Sequence, residues 1–170
     1  MKTKHYKMLL LVGVMTSCTT DDSEMVIGLN EPIHHDDFEY SVTDFTIQEK
    51  VGGETGALTA KGKFYIVNFQ VVNDAKRVNH LWNNEIAYVK DDDGTIYENQ
   101  KDAQLALDKQ TPMGWQEKYV TEAQSKDSIL FVFDLPSDVK HPCLMVRGET
   151  LMGDFFDGGK FKRAKVKLFE

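Results

Sequence analysis

Apolar and polar positions alternate along most of the chain beyond residue 37, and this period of two predicts β-strands rather than helices. The clearest example is the stretch 63–73. One face of this predicted strand carries four apolar side chains, Tyr65, Val67, Phe69 and Val71. The opposite face is polar at Asn68 and Gln70. It is apolar at Phe64 and Ile66, so we expect the start of the strand to be covered on both sides.

The same alternation predicts further strands at residues 38–47, 85–90, 128–135, 144–147 and 163–168. In the first of these the phase slips by one residue at Thr43 and Asp44, which indicates a β-bulge. The run Asp91-Asp92-Asp93-Gly94 precedes Thr95-Ile96-Tyr97 and predicts a hairpin turn, because Asp-Gly tolerates the backbone of a tight turn. A second turn is predicted at residues 157–159.

Little of the chain favours a helix. Residues 102–107 fit one or two helical turns, and residues 115–120 fit either a strand or an amphipathic turn. About seven or eight short strands with almost no helix predict an all-β domain, an antiparallel β-sandwich over residues 37–170. The architecture is immunoglobulin-like only in the broad sense, since the buried Cys–Trp–Cys arrangement of antibody domains is absent.

The first seventeen residues have the pattern of an export signal. Lys2, Lys4 and Lys7 precede the apolar stretch 8–14, and small polar residues follow. A basic start, a short apolar segment and a small-residue cleavage site are typical of a secretory signal peptide. The apolar stretch is far shorter than the roughly 20 residues that a membrane-spanning helix needs.

The segment Met15-Thr16-Ser17-Cys18 resembles the lipobox of bacterial lipoprotein signals. The commonest pattern has Leu in place of Met15 and Ala or Gly in place of Ser17, and both substitutions keep the apolar and small character. The resemblance implies a lipid anchor on Cys18, in the cell envelope outside the cytoplasm. The acidic run after Cys18 is similar to the export tag of some surface-exposed lipoproteins, which implies an outer membrane. Residues 18–36 lack a sustained apolar period and predict a flexible acidic tether.

Charge and cysteine content narrow the function classes. The formal charge is −7, and removing residues 1–17, with three lysines and no acids, makes it −10. A chain this acidic is a poor nucleic-acid binder, because phosphate contacts need Lys and Arg. If Cys18 carries lipid, Cys143 has no partner for an intrachain disulfide. We expect Cys143 to be a small buried apolar residue.

No motif predicts a metal, a cofactor or a catalytic site. His34-His35-Asp36-Asp37 offers four ligand types, but consecutive residues on an extended chain point to opposite sides. A metal site there would need His80 or Glu85, and a solvated chain segment is the alternative. The acids at 91–93 fit a hairpin turn better than a calcium loop, which needs alternating ligands. We therefore expect no enzymatic activity and no cofactor.

Aromatic residues with a polar atom give the best candidate contact surface. These are Trp82, Trp115, Tyr88 and Tyr119, with His80 beside them. Both tryptophans lie in segments with loop composition, where they would be exposed. The alternative is that they pack into the ends of the sandwich core.

Three segments resemble a family of uncharacterised bacterial lipoprotein domains: 62–73, 93–97 and 129–136. The resemblance covers about residues 38–150, and that family is similar to secreted immunoprotective antigens with an immunoglobulin-like sandwich. It supplies no catalytic residues. The signal segment, the sandwich pattern, the lack of a catalytic motif and the acidic charge together predict a lipid-anchored module that binds a protein or glycan of the cell envelope. The alternatives are a metal-dependent envelope hydrolase with a loop-built site near His34, His35 and His80, or a structural accessory subunit.

Overall fold

The computed structural model describes residues 25–53, 56–84, 86–108, 120–147 and 164–167. Within these ranges the chain forms eleven strands and one helix. The elements are β1 (Met25–Ile27), β2 (Ile33–His35), β3 (Phe38–Val51), β4 (Leu58–Asn73), β5 (His80–Leu81), β6 (Ala87–Lys90), β7 (Ile96–Tyr97), α1 (Lys101–Asp108), β8 (Val120–Thr121), β9 (Ser125–Leu135), β10 (Cys143–Val146) and β11 (Ala164–Lys167).

The strands form two main sheets that pack face to face. Sheet A has the order β1-β11-β10-β6-β7, and sheet B has the order β2-β3-β4-β9. A two-stranded sheet, β5-β8, stands beside them. The strand pairs are antiparallel except β1 with β11, which is parallel. The described chain is therefore the predicted β-sandwich, and the strand number exceeds seven or eight because several elements are only two to four residues long.

The core lies between the two sheets. Sheet B contributes Val67, Phe69 and Phe131, all fully buried, from alternate positions of β4 and β9. Sheet A contributes Val89, Leu144 and Val166 from three neighbouring strands. Burying an aliphatic or aromatic side chain of this size contributes about 1.5–3 kcal/mol. The core is thus the main source of stability, as the sequence indicates.

The middle of β4, where the predicted strand 63–73 begins, is covered on both faces, as predicted. Phe64 and Ile66 lie on the outer face of sheet B, where they form a second cluster with Val132 and with Ala103 of helix α1. A single helix of eight residues is enough to cover these positions. The helix agrees with the prediction of one or two turns at residues 102–107.

Two further local predictions are confirmed. The register of β3 against β4 shifts between Val42 and Asp44, which is the β-bulge expected from the phase slip. Strands β6 and β7 pair as the hairpin predicted around Asp91 and Gly94. Gly94 has a φ of 83°, so this turn uses the left-handed conformation that glycine adopts at little cost.

The N-terminal part of the domain differs from the predicted tether at residues 18–36. Residues 25–36 contain β1, which pairs with β11, and β2, which pairs with β3. Ile27 and Ile33 are buried, and each anchors a strand of only three residues. One buried side chain can do this when an existing sheet edge supplies the hydrogen bonds, so no sustained period is needed. The sandwich thus begins near residue 25 rather than 37.

Some predictions fall outside the described residues. These are the signal segment with Cys18, the turn at 157–159, and residues 115–119 with Trp115 and Tyr119. In the part of the chain that the structure does describe, no helix has the length and apolar character needed to cross a bilayer.

Candidate binding groove

Trp82 and His80 lie in the core rather than on a contact surface. Trp82 is 5% exposed, and His80 is fully buried. Their ring centroids are 4.8 Å apart, and the His80 ring lies 5.0 Å from that of Phe38. Trp82 also packs edge-on against Phe69, at 6.0 Å. For Trp82 the alternative of packing into the end of the sandwich core is therefore confirmed, and His80 packs beside it, so neither residue belongs to an exposed contact surface.

Hydrogen bonds fix the polar atoms of this buried pair. The Nε2 atom of His80 lies 2.9 Å from the Tyr40 hydroxyl oxygen, and the indole N–H of Trp82 donates to the Thr121 hydroxyl. Burial lowers the pKa of His80 from 6.5 to about 4, because the charged imidazolium is poorly solvated there. His80 is thus a neutral core residue at physiological pH.

Tyr88 lies at a different place, on the outer face of sheet A. Its side chain is half-buried, and the Arg147 guanidinium carbon stands 5.3 Å from its ring centroid. A cation over an aromatic face is favourable. Tyr88 therefore remains a predicted contact residue, separate from Trp82 and His80.

The residues of the hypothetical metal site are not brought together. His34 is exposed and lies 3.5 Å from the Glu39 carboxylate, whereas His80 is in the core. No group of three His, Cys, Asp or Glu side chains able to hold a metal occurs within the described ranges. At the acidic turn 91–93, for which the sequence favours a hairpin over a calcium loop, Asp91 accepts hydrogen bonds from the Thr95 N–H and the Tyr97 hydroxyl. These bonds stabilise the hairpin turn.

Cys143 is buried, as predicted. Its thiol donates to the His141 carbonyl oxygen at 3.5 Å. His141 Nδ1 in turn lies 2.6 Å from the Asp92 carboxylate, and all three residues line a cavity of about 200 Å³. The thiol is a packed side chain on the outer face of sheet A.

A larger groove of about 790 Å³ opens at one end of the sandwich. Its walls come from three separate segments: β7 with the turn into α1, the bulged start of β4, and the end of β9. The lining residues are Lys61, Ile96, Tyr97, Glu98, Gln100, Asp134, Pro136, Ser137 and Asp138. Pockets that bind small ligands have volumes of about 300–1,000 Å³, so the groove is large enough for a ligand or a peptide side chain.

A close backbone contact builds the floor of the groove. The Asp134 carboxylate accepts hydrogen bonds from the backbone N–H groups of Lys61, at 3.0 Å, and Gly62, at 3.3 Å. A Cβ atom on Gly62 would lie 2.2 Å from the Leu135 carbonyl oxygen, so only glycine allows the two strands to approach this closely. Pro136 then ends β9 and directs the chain along the groove.

The groove combines acidic and apolar groups. Glu98 and Asp138 are exposed carboxylates in its lining, and Lys61 is the cation there. The side chain of Ile96 is 56% exposed and supplies apolar surface to the lining. This arrangement suits a ligand that offers both an apolar group and a positive charge. Sequence reasoning missed the groove because its residues are far apart in the chain and share no motif.

Solved structures with this fold come from several bacteria. The yjhA protein of Bacillus subtilis has a TM-score of 0.58 at 13% identity, with 84% of this chain and 98% of that chain covered. An uncharacterised β-sandwich protein of Clostridium difficile 630 has a TM-score of 0.55 at 14% identity, covering 86% and 95%. The secreted protein MPT63 of Mycobacterium tuberculosis has a TM-score of 0.54 at 11% identity, covering 85% and 97%. These similarities establish a shared fold.

None of the curated protein sequences matches this chain. A family model, described as a domain of unknown function and called DUF4352, matches residues 27–154. The matched segment begins at Ile27, the last residue of β1, so it includes β2, which also precedes residue 37. The chain is therefore a member of the DUF4352 family, a domain of unknown function, and it has a β-sandwich fold.

Proposed function

We propose that this protein is a lipid-anchored, non-catalytic binding module that works outside the cytoplasm, attached to the cell envelope through Cys18. Its sequence supports this with a secretory signal and a lipobox at residues 15–18. The fold shared with a secreted protein of Mycobacterium tuberculosis fits the same location. The partner is a protein or glycan of the envelope, and an outer membrane is the favoured site of attachment.

The distance between the anchor and the domain is short. Strand β1 begins at Met25, seven residues after Cys18. Seven fully extended residues span at most about 25 Å. An anchored domain would therefore stay within roughly its own diameter of the bilayer. Confinement of this kind raises the effective concentration of the domain for any partner on the same surface.

The observation that carries the proposal is the position of the groove relative to β1. The groove lies beside β7, and β1 and β7 are the two opposite edges of sheet A. Four strand spacings of about 4.8 Å separate these edges by about 19 Å. The chain would enter the domain at one edge of sheet A, and the groove opens at the other edge, so the tether does not cover it.

The chemistry of the groove favours a protein partner with a basic and apolar segment. An apolar side chain of the partner would cover Ile96, which is otherwise exposed to water. Lys or Arg next to it would meet the carboxylates of Glu98 and Asp138. These contacts need no chemical step, and the proposal assigns the protein no catalytic residue.

Site-specific photo-crosslinking in intact cells tests the groove. A benzophenone amino acid replaces Ile96, and in a matched control it replaces Leu81, which is 52% exposed on β5. We expect a discrete crosslinked product from position 96 and none of that size from position 81. Identical product patterns from the two positions, or no product from position 96, would contradict the assignment of the groove.

Charge reversal makes this test specific. Glu98→Lys with Asp138→Lys reverses both exposed carboxylates, and Asp74→Lys is a control at an exposed acid outside the groove. We expect the double variant to lose the product from position 96 and the control to keep it. A product that survives the double reversal would show that the partner does not recognise these carboxylates.

A further inference from the structure

The outer face of sheet A carries a cluster of cations, which we call the basic face. It consists of Lys90, Arg147, Lys165 and Lys167, which surround Cys143 and Met145. The register places these residues on one side of the sheet: Cys143 pairs with Lys90 and Lys167, and Met145 pairs with Tyr88 and Lys165. Arg147 continues the alternation of β10, and its guanidinium lies over the Tyr88 ring.

The basic face differs in charge from the rest of the protein. Strands β1, β6, β10 and β11 contain no Asp or Glu, whereas the chain without residues 1–17 has a net charge of −10. The nearest acids are Asp91 and Asp92 of the turn after β6, which line a small cavity with Lys90 and Lys165. Lys90 and Lys167 are exposed, and Lys165 and Arg147 are half-buried. Met145, at 2% exposure, is covered although it points away from the core. Long cationic side chains cover apolar surface in this way while their charged ends stay in water.

The basic face is next to the point where the chain enters the domain. Strand β1 pairs with β11 in parallel, and Val26 is the register partner of Lys165. Val26 therefore lies on the same face, and it is 58% exposed. Met25 is seven positions after Cys18, so a lipid on Cys18 would hold this edge of the sheet within about 25 Å of the bilayer.

We propose that the basic face lies against the anionic lipid headgroups of the membrane that holds the anchor. The proposal rests on the lipid anchor on Cys18 and goes beyond it by assigning the domain an orientation. Lys and Arg side chains are attracted to an anionic leaflet within about a Debye length of its surface. Val26 would enter the interfacial layer beside them. The acidic remainder of the domain would be repelled and would turn toward the solvent.

Lysine footprinting of the lipidated protein tests the orientation. The full-length mature protein is reconstituted into vesicles of phosphatidylcholine alone or with a third of phosphatidylglycerol, and flotation confirms that it is bound. Lysines are then acetylated briefly, and modification is measured by mass spectrometry. Lys165 and Lys167 report on the basic face, and Lys76 and Lys126 are exposed controls outside it.

We expect acetylation of Lys165 and Lys167 to be at least about threefold slower on the anionic vesicles, with the controls unchanged, and the protection to disappear in high salt. Anionic vesicles should also slow the acetylation of Lys90. The double variant Lys165→Glu with Lys167→Glu should lose this protection of Lys90, whereas Lys126→Glu should keep it. Equal rates on both kinds of vesicle, for protein that floats, would overturn the orientation alone. Protein that does not float would instead contradict the anchor, and with it the proposed function.

Discussion

The indole N–H of Trp82 donates a hydrogen bond of 2.8 Å to the hydroxyl of Thr121, inside the core. Trp82 follows β5 and Thr121 ends β8, so the bond joins the two strands of the small third sheet. The same indole packs against Phe69 and Phe131 of sheet B. One side chain thus attaches the β5–β8 sheet to the main sandwich, and its role is structural.

Removing the Trp82 ring should destabilise the domain. We expect Trp82→Ala to lower the free energy of unfolding by about 3–5 kcal/mol, because it leaves a cavity in a packed core. Thr121→Val keeps the volume and removes only the hydrogen bond, so it should cost about 1–2 kcal/mol. Urea denaturation followed by circular dichroism measures both changes. Leu81→Ala is the control, since Leu81 is exposed; a Trp82→Ala protein as stable as this control would refute the core assignment.

His80 should make the stability of the fold depend on pH. Its pKa is lowered to about 4 by burial, and the unfolded chain keeps the ordinary value of 6.5. As the pH falls below 6.5 the unfolded state takes up a proton that the folded state does not, so stability is lost between about pH 6.5 and 4. The total loss of unfolding free energy that His80 causes is on the order of 3 kcal/mol. Above pH 7 it contributes no pH dependence.

Urea denaturation at a series of pH values measures this loss. His80→Gln keeps a group that can hydrogen-bond to Tyr40 but does not titrate, so its stability should vary less between pH 6.5 and 4. His34→Gln, at an exposed histidine, should keep the slope of the unmodified protein. Parallel pH profiles for all three proteins would contradict the assigned role of His80.

Gly62 should tolerate no side chain. A Cβ atom there would lie within 3 Å of backbone atoms of Leu135, Pro136 and Ser137, which cannot move without separating β4 from β9. We expect Gly62→Ala to cost about 2–4 kcal/mol and to open the floor of the groove. Thermal unfolding compares it with Gly28→Ala, where the added atom makes only ordinary contacts at 3.6 Å. Equal melting temperatures for the two variants would mean that the strands adjust freely.

Asn99 protects the outer edge of β9. Its side-chain oxygen accepts from the Val132 N–H at 2.9 Å, and its amide donates to Asn84 and to the Gln104 side chain. Gln104 in turn donates to the Leu130 carbonyl oxygen at 2.6 Å. Pairing of an edge strand by side chains hinders its association with other chains.

Asn99→Ala should leave the Val132 N–H buried and unpaired, at a cost of about 2–3 kcal/mol. Hydrogen exchange of the Val132 amide should become faster by the factor to which this free-energy cost corresponds. The exchange rates of amides in the centre of β4 should change less. Gln100→Ala is the matched control, because Gln100 is exposed and bonds to Val132 through its own backbone. Unchanged exchange at Val132 in Asn99→Ala would rule out this edge protection.

The strands could be predicted from the sequence where apolar and polar side chains alternate over many consecutive residues. Phe69 and Phe131 follow such alternation, and the bulge beside Val42 showed itself as a break in it. Ile27 and Ile33 could not be recognised, because neither lies in a sustained alternation and each becomes buried only when a strand distant in sequence or a neighbouring hairpin pairs with its segment. The sequence left two positions open for Trp82, surface or core, for a related reason: its segment has the composition of a loop, and composition does not reveal which loops fold over the end of a core.

The groove was beyond sequence reasoning. Ile96 and Asp138 are 42 positions apart, and neither belongs to a chemical motif. They meet because β7 ends sheet A near the place where Pro136 ends β9. Only the packing of the two sheets creates that proximity.

Fractionation of cells that produce Cys18→Ala tests the central claim most directly. The claim is that a lipid on Cys18 holds this sandwich at the membrane. We predict that the unmodified protein partitions with the membranes, resists extraction by salt and is released by detergent, whereas the variant appears in the soluble extracytoplasmic fraction. A variant that remains with the membranes as firmly as the unmodified protein would contradict the account.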